Sequence, residues 1–131
     1  PDCGAVVLFV GRVRNNSGSR QDVQELSFEA YHPAAEEALE RIGRAVLARW
    51  DEVKATAVLH REGKLAVGDV TVVVGCASPH RASAFAAVTW AMEAVKATVP
   101  VWKLERWSGG WGPACDARPI CWPVDLVAWE P

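Results

Sequence analysis

The sequence predicts an α+β fold, a largely antiparallel sheet with two main helices packed on it. Three observations carry this expectation. Runs rich in β-branched residues alternate with two segments whose apolar residues recur every three to four positions. The elements follow the order strand, strand, helix, strand, strand, helix, strand, a pattern that sets helices over one face of a sheet. Half of the 131 residues are hydrophobic, enough for a real core in a chain too short for two ordinary domains, so residues 1–131 are expected to form one domain.

Ala5 to Arg14 is apolar and β-branched and reads as a buried strand. The polar run Asn15 to Asp22 has the composition of a mobile loop. Val23 to Tyr31 reads as a second strand, antiparallel to the first across that loop. Pro33 opens a helix with Glu36 and Glu37 in its first turns and Ala35, Leu39, Ile42, Val46 and Trp50 along one face, the pattern of a scaffold helix. Thr56 to His60 is expected to be a strand and Glu62-Gly63-Lys64 a turn, with Val67-Gly68-Asp69 leading into a strand from Val70 to Ser78. A second helix spans Pro79 to Lys96, with Phe85, Val88, Met92 and Val95 as its buried stripe. After a turn at Thr98 to Pro100 a further strand carries Trp102, Lys103 and Leu104. Ser108 to Gly112 is a glycine-rich turn, and residues 112–131, with four prolines and no clear period, are expected to form an irregular tail.

A net charge of −2 argues against a broad nucleic-acid surface and leaves room for a focal basic pocket. The apolar runs stop well short of the roughly 20 residues a membrane span requires. No basic-then-apolar leader opens the chain, so a cytoplasmic protein with no membrane partner is expected. Cys3, Cys76, Cys115 and Cys121 lack the spacings of a zinc site and do not form a dense disulfide framework. They read as mostly inert, with Cys76 a small buried hydrophobe that nothing nearby in sequence would convert to a thiolate.

The chemistry concentrates between Ser78 and Glu105. Ser78 reads as an N-cap and Pro79 as the first helical residue, so His80 and Arg81 add positive charge to a helix end that is already positive, which suits a bound anion. Arg81 and Lys96 both project close to the apolar stripe. The alternative is that Arg81 covers apolar surface and pairs with a carboxylate, while Lys96 complements the helix C-terminus. Lys103 shares its strand face with Val101 and Glu105. It is either half of a solvated Lys–Glu pair or a partly desolvated amine available as nucleophile or proton acceptor.

Linked motifs then carry a resemblance. Gly4-Ala5, Phe9-x-Gly11-x-Val13-Arg14-Asn15, Glu29-Ala30-Tyr31, His60-Arg61-x-Gly63-x-Leu65-x-x-Gly68, Ser78-x-His80-Arg81-x-x-Ala84-Phe85 and Lys96-x-x-x-Pro100-x-Trp102-Lys103-x-Glu105 together resemble the large, catalytic subunit of molybdopterin synthase. The match runs in order over about residues 4–111. It implies an α+β sulfur transferase of molybdenum-cofactor biosynthesis that converts cyclic pyranopterin monophosphate (precursor Z) to molybdopterin. The sulfur arrives as the C-terminal Gly-Gly thiocarboxylate of a small ubiquitin-like carrier, so the resemblance implies no cofactor and no metal of the chain's own. It also implies a heterotetramer built on a central homodimer of large subunits.

By the same resemblance, Lys96 and Lys103 match the family's two active-site lysines, Lys96 assisting sulfur attack and Lys103 orienting substrate. Arg14 matches a substrate-binding arginine beside the loop, and His80 and Arg81 match a pair contributed by the dimer partner. Phe9 and Met92 are candidates for the pocket wall, with ordinary core packing the alternative. His60 and Arg61 are assigned to structure near a turn. Relative to the family, the strand and helix that usually precede Gly4-Ala5 are not in this sequence, and Cys115 lies where a basic residue often helps close the site, the nearest arginine being Arg118. Two other classes fit the residues: a non-catalytic homodimeric module that docks a ubiquitin-like partner, and a phosphate-ligand binder using the Ser78 to Arg81 helix start.

Overall fold

The computed structural model describes residues 1–114 and 125–131. Strands β1 (Ala5–Arg12) and β2 (Val23–Ala30) precede helix α1 (Ala34–Arg49). Strands β3 (Ala55–His60), β4 (Gly63–Ala66) and β5 (Val70–Ser78) follow, then helix α2 (Arg81–Thr98) and strands β6 (Val101–Trp107) and β7 (Gly110–Pro113). All pairings are antiparallel, but they build two sheets, β1-β5-β3 and β4-β2-β6-β7. The expected α+β class holds, with the strands divided.

That division corrects the expected pairing of the first two strands. β1 pairs with β5 and β2 with β4 and β6. The register of β1 slips at Gly11/Arg12, so the strand ends two residues before Arg14. Val13 then exchanges backbone hydrogen bonds with the β4–β5 turn, donating to Asp69 and accepting from Gly68, each at 2.9 Å. These bonds turn the chain away from β5 and deliver it to the second sheet. Gly68 adopts φ +91°, a conformation that a β-carbon would oppose. The expected turn at Glu62-Gly63-Lys64 is tighter than predicted, since Gly63 (φ +84°) already opens β4.

The polar run Asn15 to Asp22 is packed rather than free. Ser17 and Arg20 bridge each other, and Ser17 is buried. Arg20 reaches across to Glu105, donating at 3.0 Å, and to the Pro113 carbonyl at 2.6 Å, with its guanidinium 4.0 Å above the Trp107 ring. Composition alone does not disclose a partner that lies 85 residues away in sequence.

In α1 the buried residues Ala35, Ala38, Ile42, Ala45 and Val46 reproduce the expected face, with Leu39 and Trp50 partly buried beside it. In α2 half of the expected stripe holds, Val88 and Val95 being buried, and the other half moves back by one position to Ala84 and Ala91, with Ala87, Trp90, Ala94 and Thr98 also buried, whereas Phe85 is 58% exposed and Met92 only partly buried. At 100° per residue Phe85 groups with Met92 and Lys96 on the neighbouring face. Ser78 is not the N-cap. It is held in the β5 ladder opposite Ala5, and His80 takes the cap position without a side-chain cap bond.

The helices pack with Val72, Val74 and Cys76 of β5 in the main core. A second cluster, Val13, Leu26, Phe28 and Leu65, lies under the other sheet. Of the predicted irregular tail, β7 and residues 125–131 are described. Trp129 stacks edgewise on Trp90 at 5.9 Å, and Arg49 donates to the Val127 carbonyl at 2.6 Å and pairs with Glu130. Cys115, Arg118 and Cys121 lie outside the described residues.

Ile42 has no exposed surface. Ile42→Ala is expected to cost about 2–5 kcal/mol through lost transfer energy and a residual cavity, read as a lower urea midpoint at unchanged slope.

Candidate active site

The buried residues Val99 and Pro100 reverse the chain between α2 and β6. Lys96 stands in the last turn of α2, and Lys103 is the third residue of β6. The short reversal brings both into one cleft of about 460 Å³, walled also by Phe28, His60, Val72, Met92 and Trp102. A second hollow of about 570 Å³ shares both lysines and Met92 and extends to Phe9, Arg12, Arg14 and Glu105. Lys96 is exposed and Lys103 half-buried. Five predicted site residues, Lys96, Lys103, Arg14, Phe9 and Met92, therefore meet around adjoining hollows.

His80 and Arg81 do not join them in one chain. They line a separate hollow with Gly4, Ala5 and Pro79 at the other end of α2. Arg81 and Lys96 lie fifteen positions apart along the helix, a span of about 22 Å at 1.5 Å per residue.

Glu105, read from sequence as half of a solvated pair, is only 2% exposed. Its bond to Arg20 neutralises a carboxylate on the wall of the second hollow. Arg12, whose Nε donates to the Gly68 carbonyl at 2.7 Å, and Arg14 then leave the hollow with a surplus of cationic side chains. That surplus suits an anion, and two side-chain amines beside it supply proton donors.

His60 corrects the sequence assignment, since it lines the lysine cleft rather than serving only a turn. Its ring meets Phe28 edgewise at 4.9 Å, and Phe28 is the register partner of Lys103. Nδ1 lies 2.8 Å from the Arg61 carbonyl. Burial lowers the pKa of His60 most; the Arg61 carbonyl opposes this, Lys103 lowers it further, and Glu62 raises it. The signal available in sequence was His60-Arg61 before a glycine, but the partners Phe28 and Lys103 are brought together only by the sheets.

His32 behaves oppositely. The hydrogen bond from its ring to Glu62 at 2.8 Å raises its pKa most, with Glu36 at 3.2 Å adding to the effect. Cys76 is buried, which raises its thiol pKa against a weak 3.6 Å contact with Thr56, the environment of an inert thiol. Among the described residues no group of three or more His, Cys, Asp or Glu side chains is placed to hold a metal ion. No helix of the described residues is long and apolar enough to cross a membrane.

Cationic groups from a helix and a strand line one cleft on an α+β scaffold, which places the chain among α+β proteins with a focal site suited to an anion. Comparison with known proteins gives this class its family. The family model described as "MoaE protein" matches residues 1–98. The molybdopterin synthase catalytic subunit of Staphylococcus epidermidis is 43% identical over 108 residues, covering 82% of this chain and 70% of that protein. That of Bacillus subtilis is 38% identical over 109 residues, covering 83% and 68%. The crystal structure of molybdopterin synthase from Staphylococcus aureus superposes with a TM-score of 0.76 at 37% identity, over 85% of this chain and 81% of that one. A complex of subunits 1 and 2 of the molybdopterin-converting factor from Helicobacter pylori has the same fold, with a TM-score of 0.71 at 21% identity over 91% and 76% of the two chains. The chain belongs to the MoaE family, and it is an enzyme of the molybdopterin synthase catalytic-subunit class.

The two histidines are expected to titrate on opposite sides of 6.5, His32 above and His60 below, when followed by NMR, and Glu62→Gln should bring His32 back down. Because its pKa is raised on folding, the His32 contribution to stability is present below 6.5 and fades as pH rises through the folded value. Arg20→Met leaves the Glu105 carboxylate buried and unpaired, with an expected cost of about 3 kcal/mol in chemical denaturation. Adding Glu105→Gln should recover part of that loss.

Proposed function

We propose that this chain transfers sulfur to cyclic pyranopterin monophosphate, taking it from the C-terminal Gly-Gly thiocarboxylate of a small ubiquitin-like carrier, to form molybdopterin. The observation that carries this reading is the placement of Lys96 and Lys103, from different elements, in one cleft. The thiocarboxylate tail and the cyclic phosphate are both anions, and the cleft supplies cations for each. Lys96, exposed at the mouth, assists attack of the thiocarboxylate sulfur by charge stabilisation and proton transfer. Lys103, half-buried beside Phe28, orients the pterin. Arg14 in the adjoining hollow holds the phosphate, and Phe9 and Met92 form the wall against the planar ring. Sulfur arrives with the carrier, so the reaction calls for neither a cofactor nor a metal of the chain's own.

The name catalytic subunit, borne by relatives at 43% and 38% identity, supports a second, small subunit as partner. A second copy of this chain supplies His80 and Arg81, which lie too far from Lys96 to serve their own cleft. The outer face of β1-β5-β3 supports that pairing. Val6 and Leu8 of β1 are 69% and 64% exposed, and Leu59 of β3 is 62% exposed. Register sets Val73, Gly75 and Ala77 between those strands on the same face, making an uncharged surface of the kind that a partner covers.

The test is molybdopterin formation from cyclic pyranopterin monophosphate and thiocarboxylated carrier. Lys96→Ala is expected to lower the rate by about 10²–10⁴-fold with carrier binding retained, and Lys103→Ala to raise KM as well. Equal activity of Lys96→Ala would remove that lysine from the mechanism. Carrier binding by the native chain without product would favour the non-catalytic docking module instead.

A further inference from the structure

We propose that His60 is the proton acceptor of the lysine cleft, the base that activates water to release the sulfurated pterin from the carrier. This rests on the sulfur-transfer reading. Attack by a thiocarboxylate sulfur on a substrate carbon forms a carbon–sulfur bond as the oxygen substituent of that carbon leaves with its bonding pair, which joins the carrier's acyl carbon to the substrate through sulfur, as a thioester. For sulfur to stay on the pterin, a water oxygen must bond to the acyl carbon while the carbon–sulfur bond breaks. The bonding pair leaves with sulfur as a thiolate and the carrier departs as a carboxylate. Two protons are shed, and the first must pass to a base as water attacks.

The lining of the cleft restricts which group that is. In their cationic forms Lys96 and Lys103, like Arg12 and Arg14, are donors without a lone pair. The Glu105 carboxylate is buried and engaged by Arg20. Among the described titratable groups of the two hollows, His60 remains. A carbonyl only accepts, so the 2.8 Å contact with Arg61 fixes the proton on Nδ1 and leaves Nε2 with the lone pair. The Phe28 edge contact sets the plane of the ring, and the same Phe28 stands opposite Lys103 in the β2–β6 ladder. Burial foremost, and the Lys103 charge, favour the neutral ring over the opposing pull of the Arg61 carbonyl and Glu62. His60 also lines a small cavity of about 110 Å³ with His32, Glu36 and Glu62.

The charged groups around the ring are Lys103 on β6, Lys96 on α2, Arg61 and Glu62 after β3, and His32 and Glu36 across the small cavity. In single turnovers of the native chain with thiocarboxylated carrier, release is expected to slow as pH falls below 6.5, while formation of the covalent carrier–pterin adduct does not follow that limb. His60→Asn keeps an N–H for the Arg61 carbonyl and lacks the second nitrogen. It is expected to accumulate the adduct by mass spectrometry and to release product about 10²-fold more slowly, with the acid limb lost. His60→Gln serves as the second variant, and thermal unfolding of both checks the fold. Release at the native rate in either folded variant, or equal loss of adduct formation and release in both, would overturn the assignment, as would a native release rate without an acid limb. Absence of both adduct and product in the native chain would instead sink the sulfur-transfer reading itself.

Discussion

The cleft depends on how abruptly the chain reverses between α2 and β6. Thr98 ends the helix with its hydroxyl donating to the Ala94 carbonyl at 2.8 Å, and Val99 and Pro100 are buried immediately after it. Proline suits such a reversal because it places no unpaired N–H in the interior. Its carbonyl accepts from Tyr31 at 3.0 Å, and the β2–β6 ladder begins at the next pair, Ala30 and Val101. The register of that ladder then fixes Lys103 opposite Phe28, and Phe28 in turn fixes the ring of His60. One short, buried connection therefore sets the relation of both lysines and the histidine.

Charge in the cleft depends on a second constraint. A carboxylate as buried as Glu105 needs a partner, and Arg20 supplies one while also binding the Pro113 carbonyl and covering Trp107. The loop after β1, the strand β6 and the hairpin strand β7 are tied through a single guanidinium, whose planar fork and cation–π face suit three partners where an ammonium would not. The same bond orders the segment next to Arg14 and cancels a negative charge beside the lysines. Anion binding and the packing of a polar loop thus share one side chain.

What was legible in the sequence follows from this. The helices and most strands were readable because their periodicities are local, and the lysine pair was readable because only six residues, one of them Pro100, separate its members. Strand partnership was not, since the hydrogen bonds that divert the chain at Val13 come from Gly68 and Asp69. The half-displaced stripe of α2 has a related cause: with alanines around much of the helix, a one-position shift still buries an apolar set, and the sheet beneath decides which. His60 was hidden for the same reason as Arg20. Its surroundings come from β2, β6 and α2, and no short motif encodes a neighbourhood assembled from three distant segments.

The ends of α2 divide the proposed chemistry between copies of the chain. Lys96 and the cleft lie at its C-terminus, and His80 and Arg81 at its N-terminus, with about 22 Å of rigid helix between them. No bending of α2 shorter than its unfolding brings the two together. The hollow at the N-terminal end is also lined by Gly4 and Ala5, and Ala5 begins the strand that carries Val6 and Leu8 on the uncharged outer face. The basic pair and the apolar surface therefore share an edge. In the proposed dimer, a second copy covering the face of β1-β5-β3 would also approach His80 and Arg81, so that burial of apolar area and completion of the proposed cationic site would be one event.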